Sequence, residues 1–382
     1  MTATMRFLII AGEESGEIYG ARLMREIKAV MPDAEFHGVG GDRMVSEGLH
    51  LIQHCKDMAS IGVVQLLERI GYFLGVLLDM RARVKRHEFD AIILIDYPDF
   101  NLRIARAGHA AGVPVFYYVC PQFWAWRRYR IRAVKKWVDA MLVILPFEEA
   151  FYKERGIDAR FIGHPMLDEI DLAKDRAALK REFLPPGCAM LVGMMPGSRK
   201  SEVGYNLPAL LETADIIKRE RPDAGFILPV ANHMSDAKIR EAVGERAYVK
   251  IVKGRSHDVM AACDLLITKS GTSTLEAAIF GAPMVIVYRS SAINYWLAKL
   301  LVHVEYAGLP NLIAGREVAK EFFQSRFVPA TVAAEVVGLL ASPERLREKR
   351  DEMEAIRRQL GETGAAKRAA AMIASRLNKK EP

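Results

Sequence analysis

The stretch Ile95-Asp96-Tyr97-Pro98-Asp99-Phe100-Asn101 places a carboxylate directly after a strongly apolar run. Such an Asp can take a proton from a hydroxyl as a general base, and Asp96 is the candidate. The same stretch also suits a turn or helix cap, the role expected of Asp99. A second loop, Gly12-Glu13-Glu14-Ser15-Gly16-Glu17, follows another apolar run and precedes a helical pattern. Its glycines let backbone approach a ligand. Equally, it can be a tight turn with Ser15 as N-cap. In Pro196-Gly197-Ser198-Arg199 an arginine sits in a Gly-Ser turn, where its planar fork could clamp phosphate. In Lys269-Ser270-Gly271-Thr272-Ser273-Thr274-Leu275-Glu276, small residues expose N–H groups at a helix start, a cradle for a diphosphate. Glu276 there could accept from ribose hydroxyls or simply favour the helix dipole.

Two further stretches are open to opposite readings. Phe123-Trp124-Ala125-Trp126 runs into Arg127, Arg128, Arg130, Arg132, Lys135 and Lys136. Aromatics beside cations suit a sugar or base with a phosphate, or a packed loop leading into a basic amphipathic helix. Residues 61–78 are apolar except for a stripe of Gln65, Glu68, Arg69 and Tyr72, continued by Asp79. A helix with so wide an apolar face is either buried or rests on lipid. Arg81, Arg83, Lys85 and Arg86 follow it and would favour an anionic surface. The lipid reading puts Val63, Val64, Leu67, Leu74 and Leu77 in contact with the membrane.

All these loops need a scaffold that gathers them. Short apolar runs at 7–11, 35–39, 91–95, 115–119, 141–145 and 160–162 alternate with helical patterns. The alternation restarts at 190–194, 225–230, 248–252, 265–268 and 284–287. Strands apolar on both faces with helices between them predict parallel sheets with crossovers. In such sheets ligands collect at the carboxyl ends of the strands, which is where the polar loops lie. The expected architecture is α/β: two Rossmann-like domains with parallel sheets facing a cleft. Residues 1–170 form the acceptor side, 171–345 the donor side, and 346–382 a helical tail that could cross back onto the first. The boundary segment is charged and ends in Pro185-Pro186-Gly187.

The 382 residues carry 54 Lys and Arg against 47 Asp and Glu, a net charge of +7, which suits an anionic partner without choosing one. Cys55, Cys120, Cys188 and Cys263 are widely spaced, so neither a disulfide framework nor a zinc site is expected. No signal peptide is expected at the N-terminus, and no uncharged apolar run approaches the ~20 residues of a membrane span.

In order along the chain, 12–17, 38–41 with Met44, 95–101, 121–127, Phe161-Ile162-Gly163-His164-Pro165, 196–199, 270–276 and Leu309-Pro310-Asn311-Leu312-Ile313-Ala314-Gly315-Arg316 together resemble the lipid-A-disaccharide synthases. Each stretch alone is a weak signal; their joint occurrence is specific. The resemblance implies the GT-B fold and transfer from UDP-2,3-diacylglucosamine to the 6-hydroxyl of 2,3-diacylglucosamine 1-phosphate, with inversion. The products would be a β-1,6-linked disaccharide 1-phosphate and UDP. It also implies that no metal or cofactor is needed, and peripheral attachment to the cytoplasmic face of the inner membrane. A homodimer is allowed for, and nucleic acid is not an expected partner. Residue by residue, it puts the base on Asp96, with His164 as rival. Ser198, Arg199, Gly271, Thr272, Ser273 and Glu276 fall on the UDP side. Glu13, Ser15, Gly16 and Asn311 fall on the acceptor side. The alternatives are another UDP-N-acetylglucosamine enzyme of this fold, a 2-epimerase or a peptidoglycan glycosyltransferase, or a nucleotide-sensing RNA-binding protein.

Overall fold

The structure is a computed structural model and describes residues 4–58, 63–291, 295, 299 and 304–378, without the side chains of 14, 63–70 and 236. The chain divides into two compact units. One comprises Met1–Asp168 and Leu360–Pro382; the other is Glu169–Gln359.

The first unit holds a seven-stranded sheet. Its strands are β1 (Arg6–Ala11), β2 (Glu35–Gly40), β3 (Leu49–His54), β4 (Ala91–Ile95), β5 (Val115–Tyr118), β6 (Ala140–Val143) and β7 (Ala159–Phe161). They lie in the order β3-β2-β1-β4-β5-β6-β7, and every pair is parallel. Alternate side chains of a strand face opposite sides. Leu8, Ile10, Ile92 and Leu94 therefore enter one core layer, and Phe7, Ile9, Ile93 and Ile95 the other. The second layer is completed by Ala369, Ala370 and Ile373 of the helix Ala365–Asn378, all fully buried.

The second unit holds β8 (Met190–Met195), β9 (Ala224–Val230), β10 (Val249–Lys253), β11 (Leu265–Lys269), β12 (Met284–Tyr288) and β13 (Glu321–Phe323). Their order is β10-β9-β8-β11-β12-β13, again all parallel. The stretch from 346 onward is two helices rather than one tail. Pro343–Gln359 stays with the second unit, and Ala365–Asn378 belongs to the first.

The α/β class and the parallel sheets are as expected. Two strands were not anticipated. β3 is an edge strand carrying His50, Gln53 and His54, and β13 has three residues. Neither offers the apolar run by which the others are recognised. In each sheet the strand order reverses direction once, between β1 and β4 and between β8 and β11. Crevices outside the carboxyl ends of strands open at such switch points.

Candidate functional site

At the first switch point, Ala11 of β1 is in register with Ile95 of β4, so the loops that follow them are neighbours. Asp96 and Tyr97 both adopt left-handed backbone, with φ of 44° and 47°. Val119, after β5, does the same at 55°. For a β-branched residue this is a genuine outlier, and clustered strain of this kind marks functional sites. The strain is held by hydrogen bonds. Asn101 Nδ2 donates to the Asp96 carbonyl at 2.7 Å and Tyr117 Oη donates to it at 2.6 Å. Asp96 N donates to the Val119 carbonyl at 3.2 Å. The Asp-x-x-x-x-Asn spacing is thus a clamp: a fully buried Asn101 fixes the backbone that aims Asp96. Gly12 is required beside it, because a Cβ there would lie 2.4 Å from the Tyr97 ring.

Asp96 and Glu13 line a cavity of 340 Å3 together with Pro98, Val119, Trp126 and Glu148, among others. Burial, and then the Glu13 carboxylate, raise the Asp96 carboxyl to about 6. Glu148, 1% exposed, is raised to about 7 by burial. It accepts from Trp124 Nε1 at 2.9 Å, Leu145 N at 2.9 Å and Ile144 N at 3.2 Å. Trp124 is therefore committed to the protein, and only Trp126 of the pair lines the cavity. Ser15 lies inside the helix Glu14–Val30, exposed, and is not its N-cap, which is Glu13. Gly16 is buried over Ala11 and Ile95, a close-packing position. Asp99 makes no cap either; it pairs with Arg127 and Arg130. His164 is buried in a turn, where desolvation lowers it to about 4 and its Nδ1 accepts from Met166 N at 3.2 Å.

At the second switch point a cavity of 440 Å3 is lined by Ser198, Arg199, Gly271, Thr272, Ser273 and Glu276. Two residues that sequence reasoning passed over, Glu202 and Lys269, line it as well. Glu202 accepts from Ser198 N at 3.1 Å and Arg199 N at 3.3 Å, and pairs with Lys269 Nζ at 3.0 Å. Lys269 ends β11, and its position at a strand's carboxyl end was the available signal. The Arg199 guanidinium is 81% exposed, with its nearest carboxylate 3.6 Å away on Glu202. The helix Thr272–Ile279 starts at the cavity, so its first N–H groups are available to an anion.

Asn311, expected on the acceptor side, is engaged by its own loop. It is fully buried, and its amide is saturated. Nδ2 donates to the Ala319 carbonyl and Glu321 Oε1, while Oδ1 accepts from Val318 N and Ala319 N. It shapes the loop ahead of β13. In the helix Val63–Lys85 the side chains of Val63, Val64 and Leu67 lie outside the described residues. Leu77 is 7% exposed and packs in the core, so it is not a membrane contact. Among the described side chains of this helix, Tyr72, Leu74 and Leu78 are the large exposed apolar groups. Arg83 and Arg86 are engaged with Asp79 and Glu88. Among the described residues, no helix is long and apolar enough to cross a membrane.

Two parallel α/β units, each with a polar cavity at its own switch point, define a protein of the GT-B class, and solved structures of that class share the fold. A UDP-GlcNAc 2-epimerase from Neisseria meningitidis bound to UDP-GlcNAc superposes with a TM-score of 0.60 at 11% identity, covering 98% of this chain and 100% of that one. The glycotransferase of kitacinnamycin gives 0.63 at 16% identity, over 98% and 99%. The family model described as lipid-A-disaccharide synthetase matches residues 7–375. The lipid-A-disaccharide synthase of Trichlorobacter lovleyi is 41% identical over 373 residues, 97% of each chain. That of Nitrosococcus oceani is 38% identical over 354 residues, 92% of each. The chain belongs to the lipid-A-disaccharide synthase family. It is a glycosyltransferase of lipid A biosynthesis, which sets aside the epimerase, peptidoglycan and RNA-binding alternatives.

Proposed function

We propose that the donor is UDP-2,3-diacylglucosamine, the acceptor 2,3-diacylglucosamine 1-phosphate, and Asp96 the base that takes the proton of the acceptor's 6-hydroxyl. The observation that carries the reading is the clamped, left-handed Asp96, raised to about 6 in a cavity of its own. A base tuned close to working pH is ionised when needed yet still accepts a proton. As the hydroxyl attacks the anomeric carbon, the bond to UDP breaks and its electron pair leaves on the diphosphate. Arg199, Lys269 and the N-terminus of Thr272–Ile279 supply positive charge for that anion. Ser198 and Ser273 would donate to its oxygens, and Glu276 would accept from the ribose. Glu13 stays with the acceptor side. The enzyme would work at the cytoplasmic face of the inner membrane, peripherally bound through Tyr72, Leu74 and Leu78.

The test is to incubate the purified protein with both acylated precursors and search for the disaccharide 1-phosphate by mass spectrometry. Product from the native chain and its near absence from Asp96→Asn supports the reading. Native-level turnover in folded Asp96→Asn removes Asp96 from it.

A further inference from the structure

The proposed reaction leaves two guanidiniums beside the Asp96 cavity unused. Arg127 Nη1 donates to both carboxylate oxygens of Asp99, at 3.2 and 3.1 Å, and Arg130 Nη2 pairs with the same carboxylate. One carboxylate thus serves two cations, and a net positive charge remains. The anion is also the exposed member: Asp99 is 61% accessible and Arg130 only 12%. Within that half-buried fork, Arg130 Nη1 has no hydrogen-bond partner among the described residues. A buried donor of a charged group left unpaired is costly, and such an atom asks for an acceptor. The Arg127 guanidinium lies 4.4 Å from the centre of the Trp126 ring, and Arg127 itself has left-handed backbone with φ 51°. Trp126 and Pro98, the residues next to Arg127 and Asp99, line the cavity that contains Asp96. Neither arginine lines the cavity itself: Arg127 stands beside it, stacked on Trp126, and Arg130 is tied to Arg127 through Asp99.

A phosphomonoester matches what is missing. It brings about 1.5–2 negative charges and three strong acceptor oxygens, and guanidinium forks bind it bidentately. We propose that Arg127 and Arg130 form a phosphomonoester site at the rim of the Asp96 cavity, with Asp99 holding both guanidiniums in place until the phosphate engages them. This rests on the reading that the cavity takes the acceptor sugar; the phosphate is then the one on that sugar. A second anion beside Asp99 weakens the Asp99 pairs, so Asp99 opposes phosphate binding while preorganising its site.

The experiment has two arms. In the first, the full-length protein is titrated with glucosamine 1-phosphate, glucosamine and inorganic phosphate, followed by NMR. Glucosamine 1-phosphate should bind the most tightly. Arg130→Ala and Arg127→Ala should each weaken it about 10–100-fold, the scale of one or two charged hydrogen bonds. Arg130→Lys should recover part of the loss, and Asp99→Asn should tighten binding. In the second arm, transfer assays should show the KM for phosphorylated acceptor rising in the Ala variants while donor KM is unchanged. An acceptor lacking the phosphate should be used equally by native and variant proteins. Unchanged preference for the phosphorylated sugar in variants with native melting curves overturns the proposal. So does an equal loss in Arg132→Ala, which removes a neighbouring charge outside the cluster, and so does binding of inorganic phosphate as tight as that of the sugar phosphate. If the native protein makes no disaccharide, the functional reading falls, while the titration still decides this site.

Discussion

Asp96 is costly to keep as it stands, and the cost is measurable. Its carboxyl is raised to about 6 in the fold, against an ordinary value near ~3.9. A raised acid means the folded state favours the protonated form. Its stabilising contribution is complete below about pH 4 and is lost as pH rises through about 6. At pH 7 the ionised carboxylate works against the fold, so Asp96→Asn should raise the stability of the first unit by about 1–3 kcal/mol, with the gain vanishing toward pH 4. Asn also tolerates left-handed backbone, which keeps the comparison clean. The same substitution should lower kcat by ~10²–10⁴ and abolish the acid limb, a fall in native turnover below pH 6. A variant less stable than the native protein at pH 7 contradicts the buried-carboxylate account. The clamp adds a second prediction: Tyr117→Phe removes one of two donors to the Asp96 carbonyl and should cost about 0.5–1.5 kcal/mol while lowering kcat more than acceptor affinity. Parallel kinetics and thermal melts decide it. The position of Asp96 at the end of a strand was legible, because an Asp after an apolar run is conspicuous. Its left-handed φ was not, since Val119 and Tyr117 come from a different strand and loop. The burial of Asn311 was not legible either, because an Asn in a loop motif looks alike whether it is exposed or bonded to its own backbone.

The chemistry of the elements lies where strands stop. In β8 and β11 the ends deliver Arg199 and Lys269 to one cavity, and Glu202 ties the two loops together through two amides and one ammonium. Gly197 makes this closure: it is left-handed at φ 117°, and a Cβ there would meet Glu202 Oε2 at 2.5 Å. Gly197→Ala should therefore weaken UDP binding through the loop, and Lys269→Ala through charge, by about 1.5–3 kcal/mol for a lost charged hydrogen bond. Calorimetric titration with UDP measures both; unchanged affinity in Lys269→Ala excludes it from the diphosphate. The helix Val63–Lys85 shows the limit of periodicity. Its pattern announced a wide apolar face but could not divide it between core and surface. The structure divides it by register, with Leu77, Met80 and Val84 inward and Leu74 and Leu78 outward. Replacing Tyr72, Leu74 and Leu78 by Ser should reduce co-sedimentation with anionic vesicles without lowering the melting temperature, because exposed apolar groups have little burial to lose. Retained vesicle binding argues against this face as the membrane contact.

At the scale of the whole chain, the order of elements is not the order of assembly. The chain leaves the first unit at Asp168, builds the second, and returns at Leu360 to lay Ala365–Asn378 against the helix Glu14–Val30. Several bonds anchor the return. His164 N donates to the Leu360 carbonyl at 2.9 Å, Arg368 Nε to the Ile162 carbonyl at 2.7 Å, and Gly364 N to Asp168 Oδ1 at 2.5 Å. The Gly-His-Pro motif thus acts as a seat for the C-terminal segment, which accounts for the burial of His164. The alternating-strand pattern could suggest two sheets, because each strand is a local signal. A contact across some 200 residues has no local signal, so the partner of the last helix was open until the fold was known. The division has an energetic consequence. Ile373 is fully buried among residues of the first unit, and Ile373→Ala should cost about 2–5 kcal/mol through lost burial and the cavity left behind. That loss belongs to the first unit although Ile373 follows the second in sequence. Scanning calorimetry of the variant with saturating UDP should show the destabilised transition moving down while the transition of the second unit, the proposed UDP side, holds. Calorimetric titration at a temperature below both transitions should give native UDP affinity. Loss of UDP binding in parallel with the first transition would mean that the last helix supports both units, and the division of the chain would have to be redrawn.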